Sequence, residues 1–448
     1  MTAQAMGWYP VVAHGVGVRG DLPLPFELFA IGAAIALMAT FVSLGFIWRK
    51  TYLPAASAGR SLGVVAGQIL DVVAVPVRLA ALGLFVLALA SSVSGSEIGS
   101  QRFGPLTVYV ALWVGMPLVS VVFGDLWRVI SPFETIVAAM EWTARKLGLP
   151  PAKDAAAIPG GYWPAVAALG GFLFFELCYH NGTTNEAVGG AMVAYTLVML
   201  GGAAVYGRSW LHQADGFGVL FSLLAKMSPF FRDESGALRL RMPLSGLTAI
   251  TPRIDILAVL LVVLGGTTFD SLAGSTLWPR IVGNPRGWSA TGFNTAGMLA
   301  VIAAMALLYW LGSLAVGWFS DQSPKDVAQS FAHSLVPIVL GYTLAHYFSL
   351  LVLDGGQNFL RLLSNPFDRG TNWFGTSDWA VNFLLVSTDA IAWVQFLAIV
   401  LGHLAAVLVA HDKALETQTA TQATWAQRPM LVVMVFYSVV GLWLLQEA

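Results

Sequence analysis

A series of long apolar stretches, almost free of charge, constrains the fold of this 448-residue chain more than any other feature. Residues 28–47 and 295–319 are two examples. Each is long enough for a helix to cross roughly 30 Å of hydrocarbon, which takes about 20 residues. Charged residues make up only 10% of the chain, whereas soluble domains contain about 25%. The sequence therefore predicts an all-α polytopic integral membrane protein.

Ten transmembrane helices are predicted, with nine or eleven as the alternatives. Their ranges are 26–47, 76–94, 105–123, 162–180, 187–206, 254–272, 295–318, 328–352, 386–411 and 429–446. The apolar segment 61–75 carries Asp71 and is interpreted as an interfacial lead-in to the second helix, or as part of an eleventh span. A single transmembrane domain is expected to cover residues 1–448. The segment 353–385 is rich in Gly, Asn and Trp and is predicted to be an outer loop, either folded over the bundle or resting among lipid headgroups.

The distribution of basic residues predicts the orientation. Of the 23 Lys and Arg residues, 16 fall in one set of alternate loops and six in the other, and Arg78 lies just inside the second span. By the positive-inside rule the first set is cytoplasmic, which places both termini outside. The net charge of −1 excludes an electrostatic nucleic-acid binder. The single Cys178 excludes a disulfide framework and a cysteine-based zinc site.

Ionisable residues within or beside the spans are the strongest functional pointers, because such residues are costly in a membrane and usually face a cavity, a partner or a ligand. On the predicted outer side these residues are His14, Glu176, His180, Asp270 and His346. Histidine and carboxylate groups at one depth suit a divalent ion such as Zn²⁺, Mn²⁺ or Fe. The same groups suit a proton relay. The third alternative is that each carboxylate only caps a helix end.

A second set of histidines, His333, His403 and His411, is predicted nearer the inner side. His333 and His346 are 13 residues apart, which is a rise of about 20 Å, whereas His403 and His411 are eight apart, or about 12 Å. These rises do not match, so a two-haem ladder does not fit. One haem or metal ion between His333 and either His403 or His411 stays open, as do simple hydrogen-bonded histidines at helix ends.

One other signature is missing from the sequence. It contains no phosphate-binding loop of the Gly-x-x-x-x-Gly-Lys-Ser/Thr type. ATP-driven transport by this chain alone is therefore not expected.

Several phrases resemble the bacterial membrane proteins named fenitrothion hydrolases, over nearly the whole chain. The phrases are Ala13-His14-Gly15, Arg19 to Pro25, Gly265 to Asp270, Ala332 to Pro337, Ala345 to Phe348, Gly402-His403 and Ala410 to Asp412. The resemblance implies a multi-pass protein of the bacterial inner membrane. By the family's name, it also implies hydrolysis of organophosphorus triesters, which are lipophilic small molecules that reach the site through membrane lipid.

For such a hydrolase, a divalent metal held by His14, His180 or His346 would activate water, and Asp270 and Glu176 are the candidate catalytic carboxylates. Two other classes of function compete with it. One is a proton- or metal-coupled transporter or channel, with Glu176, Asp270, His346 and His403 along its path. The other is a haem- or copper-binding membrane subunit, with His333 and His403 or His411 as ligands. Whether the chain forms a homo- or hetero-oligomer stays open.

Overall fold

The computed structural model describes residues 25–95, 102–150, 152, 158 and 160–447, and it is 76% helical. The helices are α1 (Phe26–Ile47), α2 (Leu53–Ser57), α3 (Val64–Ser94), α4 (Phe103–Phe123), α5 (Trp127–Ile130), α6 (Pro132–Lys146), α7 (Trp163–Cys178), α8 (Asn185–Tyr206), α9 (Arg208–Ala214), α10 (Gly216–Ala225), α11 (Ile254–Gly274), α12 (Leu277–Val282), α13 (Trp288–Ser320), α14 (Pro324–Ser364), α15 (Thr388–Ala414), α16 (Ala420–Ala426) and α17 (Arg428–Glu447).

Within these ranges, nine helices are long and apolar enough to cross a membrane: α1, α3, α4, α8, α11, α13, α14, α15 and α17. The prediction of an all-α polytopic membrane protein is confirmed. The fourth predicted span, 162–180, corresponds to α7, which is apolar but shorter than the other nine. The predicted range of nine to eleven spans therefore agrees with the structure.

Two predicted boundaries differ from the structure. The segment 61–75 does not form a separate lead-in, because most of it belongs to α3, which runs unbroken through Pro76. The outer loop predicted from residue 353 begins only after Ser364. Gly355 and Gly356 suggest a helix end in the sequence, but a π-helical segment, Leu351–Asn358, carries α14 through them.

Helix α11 lies at the centre of the bundle. It packs against α7, α13, α14 and α17, and it is the most buried of the nine long helices. A helix that is apolar on all sides belongs in such a position, because no face needs water. Helix α3 is the opposite case, since most of its side chains are exposed on the outside of the bundle. Most groups on α11 are therefore shielded from both lipid and water.

Helices α14 and α15 cross in close contact at two glycines, Gly341 and Gly402. A Cβ atom at Gly341 would lie 2.5 Å from the carbonyl oxygen of Ala398, and one at Gly402 would lie 2.8 Å from that of Pro337. Small residues at such crossings let two membrane helices approach closely and pack by dispersion. This crossing fixes the position of His346 on α14 relative to His403 on α15.

A small antiparallel sheet, which the sequence analysis did not predict, joins two distant parts of the chain. Its strands are β1 (Arg60–Gly63), β2 (Phe230–Arg232) and β3 (Leu238–Leu240), in the order β1-β3-β2. In the β2–β3 turn, hydrogen bonds from the Ser235 hydroxyl and the Arg239 guanidinium lower the pKa of Asp233 to about 2. Arg232 on β2 also forms a 2.6 Å ion pair with Asp71 on α3.

Candidate functional site

A hydrogen-bonded chain of polar side chains links α11 to α14 in the middle of the bundle. Asp270 Oδ2 lies 2.9 Å from His346 Nε2. On the other side of the same ring, His346 Nδ1 lies 2.9 Å from Ser271 Oγ. The imidazole therefore bridges a carboxylate and a hydroxyl that are neighbours in the sequence.

Two tyrosines complete this chain and fix its direction. Tyr347 donates to Asp270 Oδ2 at 2.7 Å, and Tyr342 donates to Ser271 Oγ at 2.9 Å. With Asp270 ionised, His346 Nε2–H donates to its carboxylate, so Nδ1 of the neutral ring accepts the Ser271 proton. The hydrogens then run in one direction, from Tyr342 through Ser271 and His346 to Asp270. A chain ordered in this way can pass a proton by reversing its hydrogen bonds.

A second carboxylate, Glu176 on α7, lies within electrostatic range of Asp270 and of the Tyr109 and Tyr347 hydroxyls. Glu176 Oε2 is buried and has no hydrogen-bond partner among the residues that the structure describes. Glu176 belongs to the π-helical segment Phe174–Cys178, and Tyr109 belongs to another, Thr107–Gly115. Such π-helical turns often occur at functional sites, because they turn a side chain away from its regular position on the helix.

The site is enclosed by protein. The exposed fraction is 7% for Glu176, 7% for Asp270 and 1% for His346, and Ser271 is fully buried. Charges in such an environment interact far more strongly than they do in water. Ionisable groups buried inside a membrane bundle are characteristic of ion pathways and proton relays. This arrangement can hold and transfer a proton without contact with bulk water.

The predicted outer metal site is not assembled in the part of the chain described. His14 lies outside the described residues. His180 has other neighbours: its Nδ1 is 2.9 Å from Thr291 Oγ1, and its ring packs against Tyr179 and Trp288. Among the described residues, no three His, Cys, Asp or Glu side chains form a group suited to a metal ion. The metal hypothesis for His14, His180 and His346 therefore stays a prediction.

The inner histidines have separate surroundings. His403 Nδ1 is 2.8 Å from the carbonyl oxygen of Ile399, and His411 Nε2 is 3.1 Å from that of Trp48. His333 is buried in a short 3₁₀ turn of α14, and its Nε2 has no partner among the residues described. A haem or metal shared by His333 with His403 or His411 stays a prediction.

Three functional groups were missed by the sequence analysis: Ser271, Tyr342 and Tyr347. Tyr342 and His346 are four residues apart, and this spacing places them on one helical face. That spacing is the one signal that pointed to Tyr342. Ser271 and Tyr347 had no such signal, except that Ser271 follows Asp270 and Tyr347 follows His346 in the sequence.

Comparisons with protein-family models, curated proteins and solved structures find no match to this chain. The site must therefore be interpreted from its own chemistry.

Proposed function

We propose that this chain is a proton-coupled transporter of a bacterial inner membrane, with a proton site formed by Glu176, Asp270 and His346. One observation carries the proposal: two carboxylates and an imidazole lie together, out of contact with water, in the interior of a membrane bundle. Ionic networks in soluble proteins are rarely buried in this way, whereas proton relays in membrane proteins are.

The site supports proton exchange on physical grounds. Two neighbouring carboxylates in a low dielectric repel each other, which favours a state in which the pair shares a proton. The buried Glu176 Oε2 has no partner among the described residues and is the natural position for that proton. His346 already hydrogen-bonds Asp270 and Ser271, so it can accept a proton at one ring nitrogen as it releases one at the other.

A continuation toward the inner side supports a path rather than an isolated site. The Tyr342 ring stacks on Tyr437 with 6.1 Å between ring centroids. The Tyr437 ring in turn contacts His403 at 5.9 Å. Tyr437 also pairs with the Thr268 hydroxyl at 2.8 Å. Polar groups therefore continue from the Ser271–Tyr342 pair to Tyr437 and Thr268, which a transport path would reach next.

Proton flux tests the proposal directly. The purified chain is reconstituted in vesicles containing a pH-sensitive dye, and a potassium diffusion potential drives proton entry. We expect entry above that of protein-free vesicles in the wild type, and loss of this excess in Asp270→Asn and His346→Gln. Asp389→Asn is the matched control, because Asp389 is an exposed carboxylate at the outer start of α15.

A second measurement does not depend on proton flux. Infrared difference spectra across a pH titration report protonation of individual carboxyl groups in the folded protein. We expect a carboxyl band that titrates in the wild type, disappears in Glu176→Gln or Asp270→Asn, and persists in Asp389→Asn. If the wild type shows neither proton entry nor a titrating buried carboxyl, the proposal is wrong.

A hydrolase is the second candidate, and one observation favours it. Ser271, His346 and Asp270 follow the order nucleophile, base and orienting carboxylate that serine hydrolases use. In that function the Ser271 oxygen would attack phosphorus of a lipophilic triester as His346 takes its proton, and the bond from phosphorus to the nitrophenolate oxygen would break. His346 would return the proton to the nitrophenolate, and water would then hydrolyse the phosphorylated serine. Fenitrothion hydrolysis, followed through the nitrophenol product and abolished in Ser271→Ala, would support it over the transporter. A divalent metal requirement would instead favour water activation by a bound ion.

A further inference from the structure

A separate cavity of about 40 Å³ lies between α11, α13, α14, α15 and α17. This volume holds a small number of water-sized groups and is far smaller than a porphyrin. Its wall includes His403 from α15, Met305 from α13, and Met430 and Met434 from α17. It is therefore a site for an ion or a very small ligand, on the opposite side of Tyr437 from the proton site.

The hydrogen bonding of His403 prepares one ring nitrogen as a ligand. Its Nδ1 lies 2.8 Å from the Ile399 carbonyl oxygen, which can only accept, so Nδ1 carries the hydrogen. In the neutral ring Nε2 then presents a lone pair. His403 is 2% exposed, and its Nε2 has no partner among the described residues. Histidines that bind metals characteristically donate their other N–H to a backbone carbonyl in this way.

The hydroxyl groups on the cavity wall are committed elsewhere. Tyr309 donates to the Ala328 carbonyl at 2.9 Å, and Ser334 donates to the Phe331 carbonyl at 2.7 Å. Tyr437 pairs with Thr268. No donor on this wall thus serves the His403 lone pair, and an electron-pair acceptor from outside the chain is its natural partner.

The remaining wall groups select the acceptor. Met430 and Met434 are four residues apart, so their thioethers share one face of α17, and both are buried. The third thioether, Met305, reaches the wall from α13. Thioether and imidazole ligands without carboxylates select Cu(I) over hard divalent ions. A monovalent ion also brings the smallest charge into a neutral cavity, which limits the cost of desolvation.

We propose that this cavity binds one Cu(I) ion through His403 Nε2 and the thioethers of Met430 and Met434, with Met305 completing the soft surroundings. The Cu(I) site is independent of the proton site, since the two use different side chains. It places a soft monovalent metal in the inner half of the bundle, whereas the divalent site predicted from the sequence lies in the outer half.

Titration of the purified full-length chain with Cu(I) under anaerobic reducing conditions, against a chromogenic chelator, tests the proposal. We expect one Cu(I) per chain. His403→Leu and the double variant Met430→Leu/Met434→Leu should each bind about tenfold more weakly or worse, because even the loss of groups that only orient a ligand costs 10- to 100-fold in affinity. Met199→Leu is the matched control, since Met199 is also buried but lies on α8, in a different cluster.

X-ray absorption of the copper-loaded wild type gives a result that does not depend on any variant folding. We expect a shell with both nitrogen and sulfur, and loss of the nitrogen component in His403→Leu. Copper retention no greater than that of protein-free micelles, or a shell without sulfur, overturns the proposal. Asp270→Asn should bind Cu(I) as the wild type does, so the Cu(I) site and the proton site can fail separately.

Discussion

Replacing Gly341 by alanine should separate α14 from α15 and destabilise the bundle. The added Cβ would lie 2.5 Å from the Ala398 carbonyl oxygen, whereas ordinary contact begins at 3.4 Å. The shortfall is 3.4 − 2.5 = 0.9 Å. The Ala398 carbonyl is part of the α15 backbone and cannot rotate away, so the helices themselves must move. Overpacking of this kind costs about 1–3 kcal/mol.

The matched control for this variant is Gly201→Ala on α8. A Cβ at Gly201 would meet no atom within 4 Å, so this variant gains only the higher helix propensity of alanine, about 1 kcal/mol. Gly341→Ala gains the same propensity and adds the clash. The difference between the two variants therefore isolates the clash, and we expect Gly341→Ala to be less stable than Gly201→Ala by about 1–3 kcal/mol.

Unfolding in mixed micelles of mild detergent and dodecyl sulfate, followed by tryptophan fluorescence, gives the midpoint for each variant. Copper affinity of Gly341→Ala is the second readout, because His403 lies on the helix that must move. Equal midpoints for Gly341→Ala and Gly201→Ala would refute the reasoning, since they would mean that α14 and α15 do not touch at Gly341.

Three further predictions use the same unfolding assay or its pH dependence. Asp412→Ala should lower stability by about 1–3 kcal/mol, because Oδ1 accepts from the Trp48 indole at 2.8 Å and from the Tyr52 amide at 2.7 Å; an unchanged midpoint contradicts this. Ser271→Ala should cost a similar amount, about 1–3 kcal/mol, by leaving two buried partners unsatisfied; stability equal to that of the wild type contradicts it. The pKa of Asp233 is lowered to about 2 from 3.8, so the ionised carboxylate stabilises the β2–β3 turn fully above pH 3.8, and this stabilisation is lost as the pH falls toward 2. Hydrogen exchange at the amides of this turn measures the loss. Protection that stays constant from pH 5 to about pH 2 contradicts the prediction.

The membrane fold was predictable from hydropathy because lipid imposes a simple requirement. Backbone groups must pair within a helix, and side chains in contact with lipid must be apolar, so composition and length alone identify the spans. The end of α14 was not predictable in this way. Gly355 and Gly356 favour a helix end locally, but packing within the bundle keeps the segment helical as a π turn. The local sequence does not predict a helix end that depends on packing against neighbouring elements.

The sequence predicted which ionisable residues lie at one depth in the membrane, but not which way their side chains point. Rare ionisable residues led to Asp270, Glu176 and His346, which the structure brings together on α11, α7 and α14. His180 was grouped with them because it lies four residues after Glu176. The helix ends at Cys178, however, and His180 turns toward Thr291 instead. Ser271 was missed because serine is common in membrane helices and only its neighbours make it notable.

The soft-metal cavity could not be inferred from the sequence. Met305, Met430 and Met434 lie on two helices, and methionine in a membrane span is usually a space-filling residue. His403 was predicted as a candidate haem or copper ligand, but the tautomer that exposes its Nε2 depends on a hydrogen bond to Ile399. Such a site is defined by the joint position of several helices, and single-residue patterns contain no trace of it.

The three-stranded sheet has a consequence for how the protein is made. Strand β1 pairs with β3 through Arg60 with Leu240 and Ser61 with Arg239, so β1 must remain unpaired at the membrane surface until about 180 further residues have left the ribosome. Once β3 emerges, the sheet can fasten α3 to the end of α10 before α11 has left the ribosome. The sheet then holds these two helices together before α11 and the later helices α13, α14, α15 and α17 pack against the first half of the chain. A truncated chain that ends near residue 250 should accordingly protect the β1–β3 amides from hydrogen exchange, although it lacks Asp270 and His346.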